Sequence, residues 1–451
     1  MAVIQGIFAR EVLDSRGFPT IECTLWLDTG GIVATSVPGG TSVGKYEAKE
    51  LRDNNAEWMA GKGVTTAVNN LNTIIAPQLV GKDPSHQLEL DQLLVNLDGT
   101  PDKSKLGANA ILAASQAIIK AGALSMNMPL YYYVQQKYQL VENLYMPTSI
   151  FSLVNGGEHG ADNLDIQEFQ VVPASHLDFL KGLNMGVTIF HKLEEVLILK
   201  GAIHSTGLVG GFTPNLYSNS DVFEILIETV KATPYTFAQD LFFGIDVAAA
   251  EIYDGGRYKL KDRSEPYDAA ELTEYYKKIR DLYHVFYIED PFIEDDAEAW
   301  KNVTKELGET TKIVGDSLLA TNLAKTQTAI AEQLCNTILV KPNQTGTISE
   351  TVEVVRTARQ AGWQVVMSHR SGETNDDLIA DLAVGLGADY TKFGPPNRGD
   401  RVAKYNRLLQ INTEIDQNRA TQPTTPPPAP AETPAPAQTP AQVPAQATPT
   451  E

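Results

Sequence analysis

LFFGIDV, residues 241–247, is a short apolar run that closes on a single carboxylate, Asp246. Five similar runs follow: VFYIED (285–290), KIVGDSL (312–318), TILVKPN (337–343), QVVMSHR (364–370) and DYTKFG (389–394). Each is brief, bounded by polar residues and without strict alternation, as parallel strands covered on both faces are. The polar residues that end them, Asp246, Glu289, Asp316, Lys341, His369 and Lys392, recur at intervals of 23 to 43 residues. Such intervals hold a strand, a loop, a helix and a return. Repeated units of this kind close into a β/α barrel, whose active site collects residues from the C-terminal ends of its strands.

Upstream the pattern differs. In IECTLWLDTGG, Ile21, Cys23, Leu25 and Leu27 share one face before a Gly-Gly turn, and GIVATSVP reads as the hairpin partner. Helical patterns follow, among them GANAILAASQAIIKAGALS over 107–125. Strands and then helices make a compact α+β unit. The expected organisation is therefore α/β: an N-terminal α+β domain over 1–140, a modified β/α barrel over 141–418, and a low-complexity tail over 419–451. From Gln422 the tail is mostly Pro, Ala, Thr and Gln. It lacks the apolar surface to offset its ordering entropy and is expected to be disordered, with polyproline-type stiffness.

The 451 residues carry 36 basic and 56 acidic side chains, a formal charge of −20. That field repels nucleic acid and anionic membranes, so neither is an expected partner. Cys23 and Cys335 match no metal or redox spacing and are expected to be buried thiols in a reducing compartment. No signal peptide and no membrane-length apolar run is visible, which points to the cytoplasm.

Three carboxylates at successive strand ends, Asp246, Glu289 and Asp316, repel one another unless a cation sits between them. Hard oxygen donors without Cys or His favour Mg²⁺. The same mouth collects Lys341, His369, Arg370 and Lys392, a locally basic pocket suited to a carboxylate, a phosphate or both. A lysine beside a divalent cation gives up its proton more readily and can serve as a general base. Together they suit proton abstraction next to a carboxylate, with the metal stabilising the charge that develops.

The segments LDSRGFPTIE, NGGEHGADNLDIQEF, YIEDPF, VGDSLLATN, ILVKPNQTGT, SHRSGET and DRVAKYN, in this order, resemble the enolase family over residues 1 to about 418. The resemblance implies reversible dehydration of 2-phosphoglycerate to phosphoenolpyruvate, Mg²⁺ dependence and a homodimer or larger homo-oligomer. Carried over by position, it implies Asp246, Glu289, Asp316 and Ser42 as metal ligands and Lys341 as the base at C2. Arg370, Ser371 and Lys392 are implied to hold phosphate and carboxylate, with His159, Gln167 and Glu168 on the substrate side. The expected catalytic set is Lys341, Glu168 and His369. The Ser42 loop also nearly spells a P-loop from Gly39 to Lys45, but Tyr46 stands where that motif needs a hydroxyl for magnesium.

One departure bears on chemistry. The family pattern Gly-Asp-Glu-Gly-Gly, whose glutamate gives the proton to departing hydroxide, reads Gly207, Leu208, Val209, Gly210, Gly211 here. Following Pro214, Asn215 and Leu216 fix the register, so valine holds the donor position. Gly39, Thr41 and Val43 in the loop, Ser317 after Asp316, and Pro395 with Pro396 after Lys392 also differ from the family pattern. Three readings follow: an enolase slowed by the missing acid, a catalytically silent homologue that binds ligands or acts as a scaffold, or a related Lys/Mg²⁺ enzyme acting on another carboxylate, against which Arg370, Ser371 and Lys392 argue because they suit a phosphorylated acid.

Overall fold

The computed structural model describes residues 2–41, 43–261 and 263–421. Ser42 and residues 422–451 of the expected tail lie outside that range. The first three tail residues close a helix, Gly399–Thr421, so regular structure extends slightly beyond the sequence boundary.

Strands β1 (Ile4–Leu13), β2 (Pro19–Leu27) and β3 (Ile32–Ser36) form an antiparallel sheet in that order. Ile21, Cys23, Leu25 and Leu27 are buried on its inner face, in one core with Ile111, Ala114 and Ile118 of the helix Ala108–Ser125. The Ala-rich composition of that helix lets it lie close against the sheet. This is the hairpin and helix expected from the sequence.

The remainder builds β4 (Thr148–Asn155), β5 (Glu168–Pro173), β6 (Leu241–Asp246), a small hairpin of β7 (Tyr253–Asp254) and β8 (Arg257–Tyr258), then β9 (Val285–Glu289), β10 (Lys312–Gly315), β11 (Thr337–Val340), β12 (Gln364–Ser368) and β13 (Tyr390–Lys392). All but the hairpin close into a barrel in the order β10-β11-β12-β13-β4-β5-β6-β9. The six runs read from sequence are β6 and β9 to β13. Two strands, β4 and β5, were not read as such. The barrel also departs from an all-parallel one, because β5 runs antiparallel to both β4 and β6. Only a short helical turn, Gly157–His159, lies between β4 and β5. Without a crossover helix the chain turns straight back.

That reversal matters for the site. Glu168 begins β5, yet it pairs in register with Asp246, which ends β6. Its carboxylate thus reaches the same mouth as the other strand ends. Ile150, Val172, Tyr287, Val314, Leu339 and Val366 pack together and plug the barrel beneath that mouth.

The N-terminal sheet is tied to the mouth by its loop. Gly39 and Gly372 exchange backbone hydrogen bonds of 2.8 and 2.9 Å, and a Cβ on Gly372 would meet the Arg16 guanidinium at 2.3 Å. Lys120 and Thr35 donate to Asp376 at 2.7 and 2.9 Å. The loop is therefore laid over the strand ends by contacts from both units.

Two consequences for the fold can be measured. Gly186 on the helix Phe179–Leu199 faces the Phe151 ring so closely that a Cβ would sit 2.4 Å from it. Gly186→Ala is expected to destabilise the chain by about 1–3 kcal/mol in urea unfolding, through overpacking. Cys23 and Cys335 are both free and buried. Burial pushes both thiols well above their ordinary range. Neither is expected to react with a thiol reagent until the chain unfolds, when two equivalents should titrate.

Candidate active site

The barrel mouth opens into a cavity of ≈ 220 Å³ lined by His159, Gln167, Glu168, Asp246, Asp316, Lys341, His369, Arg370, Ser371 and Lys392, with Val43 to Lys45 and Glu47 from the N-terminal loop. All the strand-end residues read from sequence line it except Glu289, which is fully buried at its floor. Ser42 lies outside the described residues.

Two lysines hold the carboxylates. Lys392 Nζ lies 2.8 Å from Asp246 Oδ2, 2.8 Å from Glu289 Oε2 and 3.2 Å from Glu168 Oε2. Burial alone would lower the proton affinity of Lys392, but Asp246, Glu168 and Glu289 override it and hold the lysine well above its ordinary range. Lys341 Nζ donates to Asp316 Oδ2, and Gln344 Nε2 donates to Asp316 Oδ1 at 2.9 Å. Tyr287 donates its hydroxyl to Glu289 Oε2 at 2.8 Å.

On the other side of the mouth, Glu168 accepts from Ser152 Oγ at 2.6 Å and Gln170 Nε2 at 3.2 Å, and its Oε1 lies 3.2 Å from His159 Nδ1. Burial would raise its pKa; Lys392 and His159 more than offset this and hold the carboxyl well below its usual range. His369 is buried, its Nδ1 2.8 Å from the Lys392 carbonyl. Burial, then Arg401, keeps it well below the ordinary imidazole range, as a neutral ring. Arg370 Nη1 donates to Glu47 Oε2 at 2.9 Å. Ser371 Oγ accepts from the Thr41 amide and hydroxyl, both at 2.8 Å.

Sequence reasoning missed two members of this set. Asp290, next to Glu289, accepts from the backbone amides of Asp316 and Ser317 at 3.0 and 2.9 Å. Burial, then Asp316 and Asp246, push its carboxyl up to about 7. The doubled acid in YIED was the available signal. Glu47 sits in the N-terminal loop, away from the strand-end pattern, and nothing in that pattern points to it.

Among the described residues, no three acidic, His or Cys side chains stand in the arrangement of a formed metal site; the lysine ammonium groups are seated among the carboxylates instead. The donor chemistry nevertheless suits a hard divalent cation. Asp246, Glu289 and Asp316 hang from the adjacent strands β6, β9 and β10, and Glu289 Oε1 is buried without a hydrogen-bond partner. These three residues would hold the ion.

Val209 lies at 0% exposure and is absent from the cavity wall. Its carbonyl accepts from Arg401 Nε at 3.4 Å. The surrounding turn is tightly fixed: a Cβ on Gly211 would meet Asn155 at 2.4 Å, and one on Gly210 would meet Asn397 at 2.5 Å. The turn at Val209 therefore presents no acid to the cavity.

The fold and this mouth define a β/α-barrel protein whose strand ends gather lysines and carboxylates in one cavity. Residues 4–134 match the family description "Enolase, N-terminal domain" and residues 143–423 match "Enolase, C-terminal TIM barrel domain". A protein named enolase from Ehrlichia canis (strain Jake) is 42% identical over 413 residues, which cover 92% of this chain and 97% of that one. The chain belongs to the enolase family, the phosphopyruvate hydratases. Enolases act with a divalent metal on a small phosphorylated acid. No helix among the described residues is long and apolar enough to cross a membrane.

Proposed function

We propose that the protein is a Mg²⁺-dependent cytoplasmic enolase of glycolysis that interconverts 2-phosphoglycerate and phosphoenolpyruvate, acting as a homodimer or larger homo-oligomer. The observation that carries this reading is that Lys341, Lys392, Arg370, Ser371 and the carboxylates of β6 and β10 line one cavity. Arg370, Ser371 and Lys392 hold the phosphate and carboxylate, with His159 and Gln167 closing the substrate side. Asp246, Glu289, Asp316 and Ser42 hold Mg²⁺, which when bound supplies Lewis-acid stabilisation of the substrate carboxylate as charge builds on it.

Lys341 takes the C2 proton. Its Nζ donates to Asp316 Oδ2, and only the neutral amine can accept the C2 proton. Glu168 and His369 order the opposite wall, one as a fixed anion and the other as a neutral ring. The valine at 209 removes an acid whose kind typically contributes ~100- to 10,000-fold. Turnover is slow unless another group supplies that proton.

Val209 also favours the second reading, a silent homologue that binds ligand or partners. The two separate in a coupled assay of phosphoenolpyruvate formation from 2-phosphoglycerate on the full chain. The expected result is Mg²⁺-dependent formation that chelation abolishes. A chain that binds 2-phosphoglycerate yet forms no product above buffer would establish the silent homologue.

A further inference from the structure

Resting on the reading above, we propose that Glu251, paired with Glu158, is the acid that protonates the departing hydroxide in place of the family's residue at position 209. The barrel order places the pair. From β11, which Lys341 follows, β5 is four strands away in either direction, across the mouth, and β4 and β6 on its two sides are three. The loops that follow β4 and β6, the two neighbours of β5, carry Glu158 and Glu251 respectively. Glu251 lines the same cavity as Lys341. An acid there faces the substrate from the side opposite the base, as removal of a proton and a hydroxide from opposite faces requires.

The other carboxylates at the mouth are engaged. Glu168 accepts from Ser152, Gln170 and Lys392 and has no proton to give. Asp246 and Glu289 hold Lys392, Asp316 holds Lys341, and Glu47 holds Arg370. Asp290 and Glu294 line the cavity too, but both follow β9, two strands from β11, where β6 is three.

Glu251 differs from these because no lysine or arginine among the described residues faces it; its charged neighbours are Glu158 and His159. A proton on one of two neighbouring carboxyl groups relieves the repulsion between them. Burial, then the charge of Glu158, raise the proton affinity of Glu251, with His159 opposing. Both side chains are exposed at the rim, so solvent can return a spent proton.

The step balances. Lys341 Nζ takes the C2 proton, and that electron pair becomes the second C2–C3 bond. The C3–O bond breaks with its pair on oxygen, which takes the Glu251 proton and leaves as water. Solvent exchange then reprotonates Glu251 and deprotonates Lys341.

The test uses the full chain with Mg²⁺ and 2-phosphoglycerate in D₂O, reading C2 deuterium uptake and phosphoenolpyruvate separately. Glu251→Gln is expected to keep uptake within about twofold while product formation falls ~100-fold or more. Adding Val209→Glu to that variant is expected to restore part of the loss. Product formation by Glu251→Gln within twofold of the unaltered chain overturns the role. So does equal loss of uptake and product, which marks a structural contribution, and so does an unaltered chain that exchanges without forming product. An unaltered chain with neither activity removes the enolase reading itself.

Discussion

Lys341→Ala is expected to lose both C2 exchange and phosphoenolpyruvate formation by ~100- to 10,000-fold, the range of a positioned general base. Lys341 follows β11, whose TILV residues are all buried, and its amide donates to Thr321 Oγ1 at 2.9 Å. The backbone is thus fixed and the side chain has one direction open, into the mouth, where it is 14% exposed beside Asp316. The cleanest readout is deuterium uptake, because it reports proton abstraction whether or not hydroxide departs. Uptake by Lys341→Ala near the unaltered rate would assign the base to another group. The Glu251→Gln variant is expected to behave in the opposite way, so the pair separates the two halves of the reaction.

Lys392→Met is expected to lower stability by about 3–5 kcal/mol in urea unfolding with chelator present. The substitution keeps an unbranched side chain, one heavy atom shorter, but removes the cation shared by Asp246, Glu289 and Glu168, leaving buried carboxylates face to face. Lys392 is 3% exposed and Glu289 fully buried, so water cannot take over the solvation. Added Mg²⁺ is expected to recover part of the loss, since a divalent ion bound only by the folded chain stabilises it. Equal stability with and without the lysine in chelator would mean that these carboxylates are not held as anions. No recovery with Mg²⁺ would count against their role as metal ligands.

Much of the barrel was legible because polar residues stand abruptly at the ends of apolar runs. Asp246, Glu289, Asp316, Lys341, His369 and Lys392 are such cases, and each strand they close lies in the closed barrel. The strands β4 and β5 were harder. Both are buried along nearly their whole length, yet their connection carries no helix, so the repeating spacing that exposed the others is missing. Glu168 heads an antiparallel strand, and strand-end reasoning does not reach a residue at a strand's start. Its place was legible only through the family segment NGGEHGADNLDIQEF.

Other members of the site depend on contacts across long sequence separations. Glu47 meets Arg370 from 323 residues away, and the loops of Glu158 and Glu251 are neighbours only because β4 and β6 flank β5. No local pattern marks such pairs. Val209 is the reverse case: its glycines and the Pro-Asn-Leu segment fixed its register in sequence, and the structure adds that its side chain is sealed from the cavity.

The most direct measurement is deuterium uptake at C2 of 2-phosphoglycerate by the full, unaltered chain, followed with saturating Mg²⁺ and again with chelator. Uptake well above buffer with the metal, and none without it, is the expected result for a lysine that draws a proton at a mouth of metal-binding carboxylates. No uptake above buffer at saturating Mg²⁺ would contradict it.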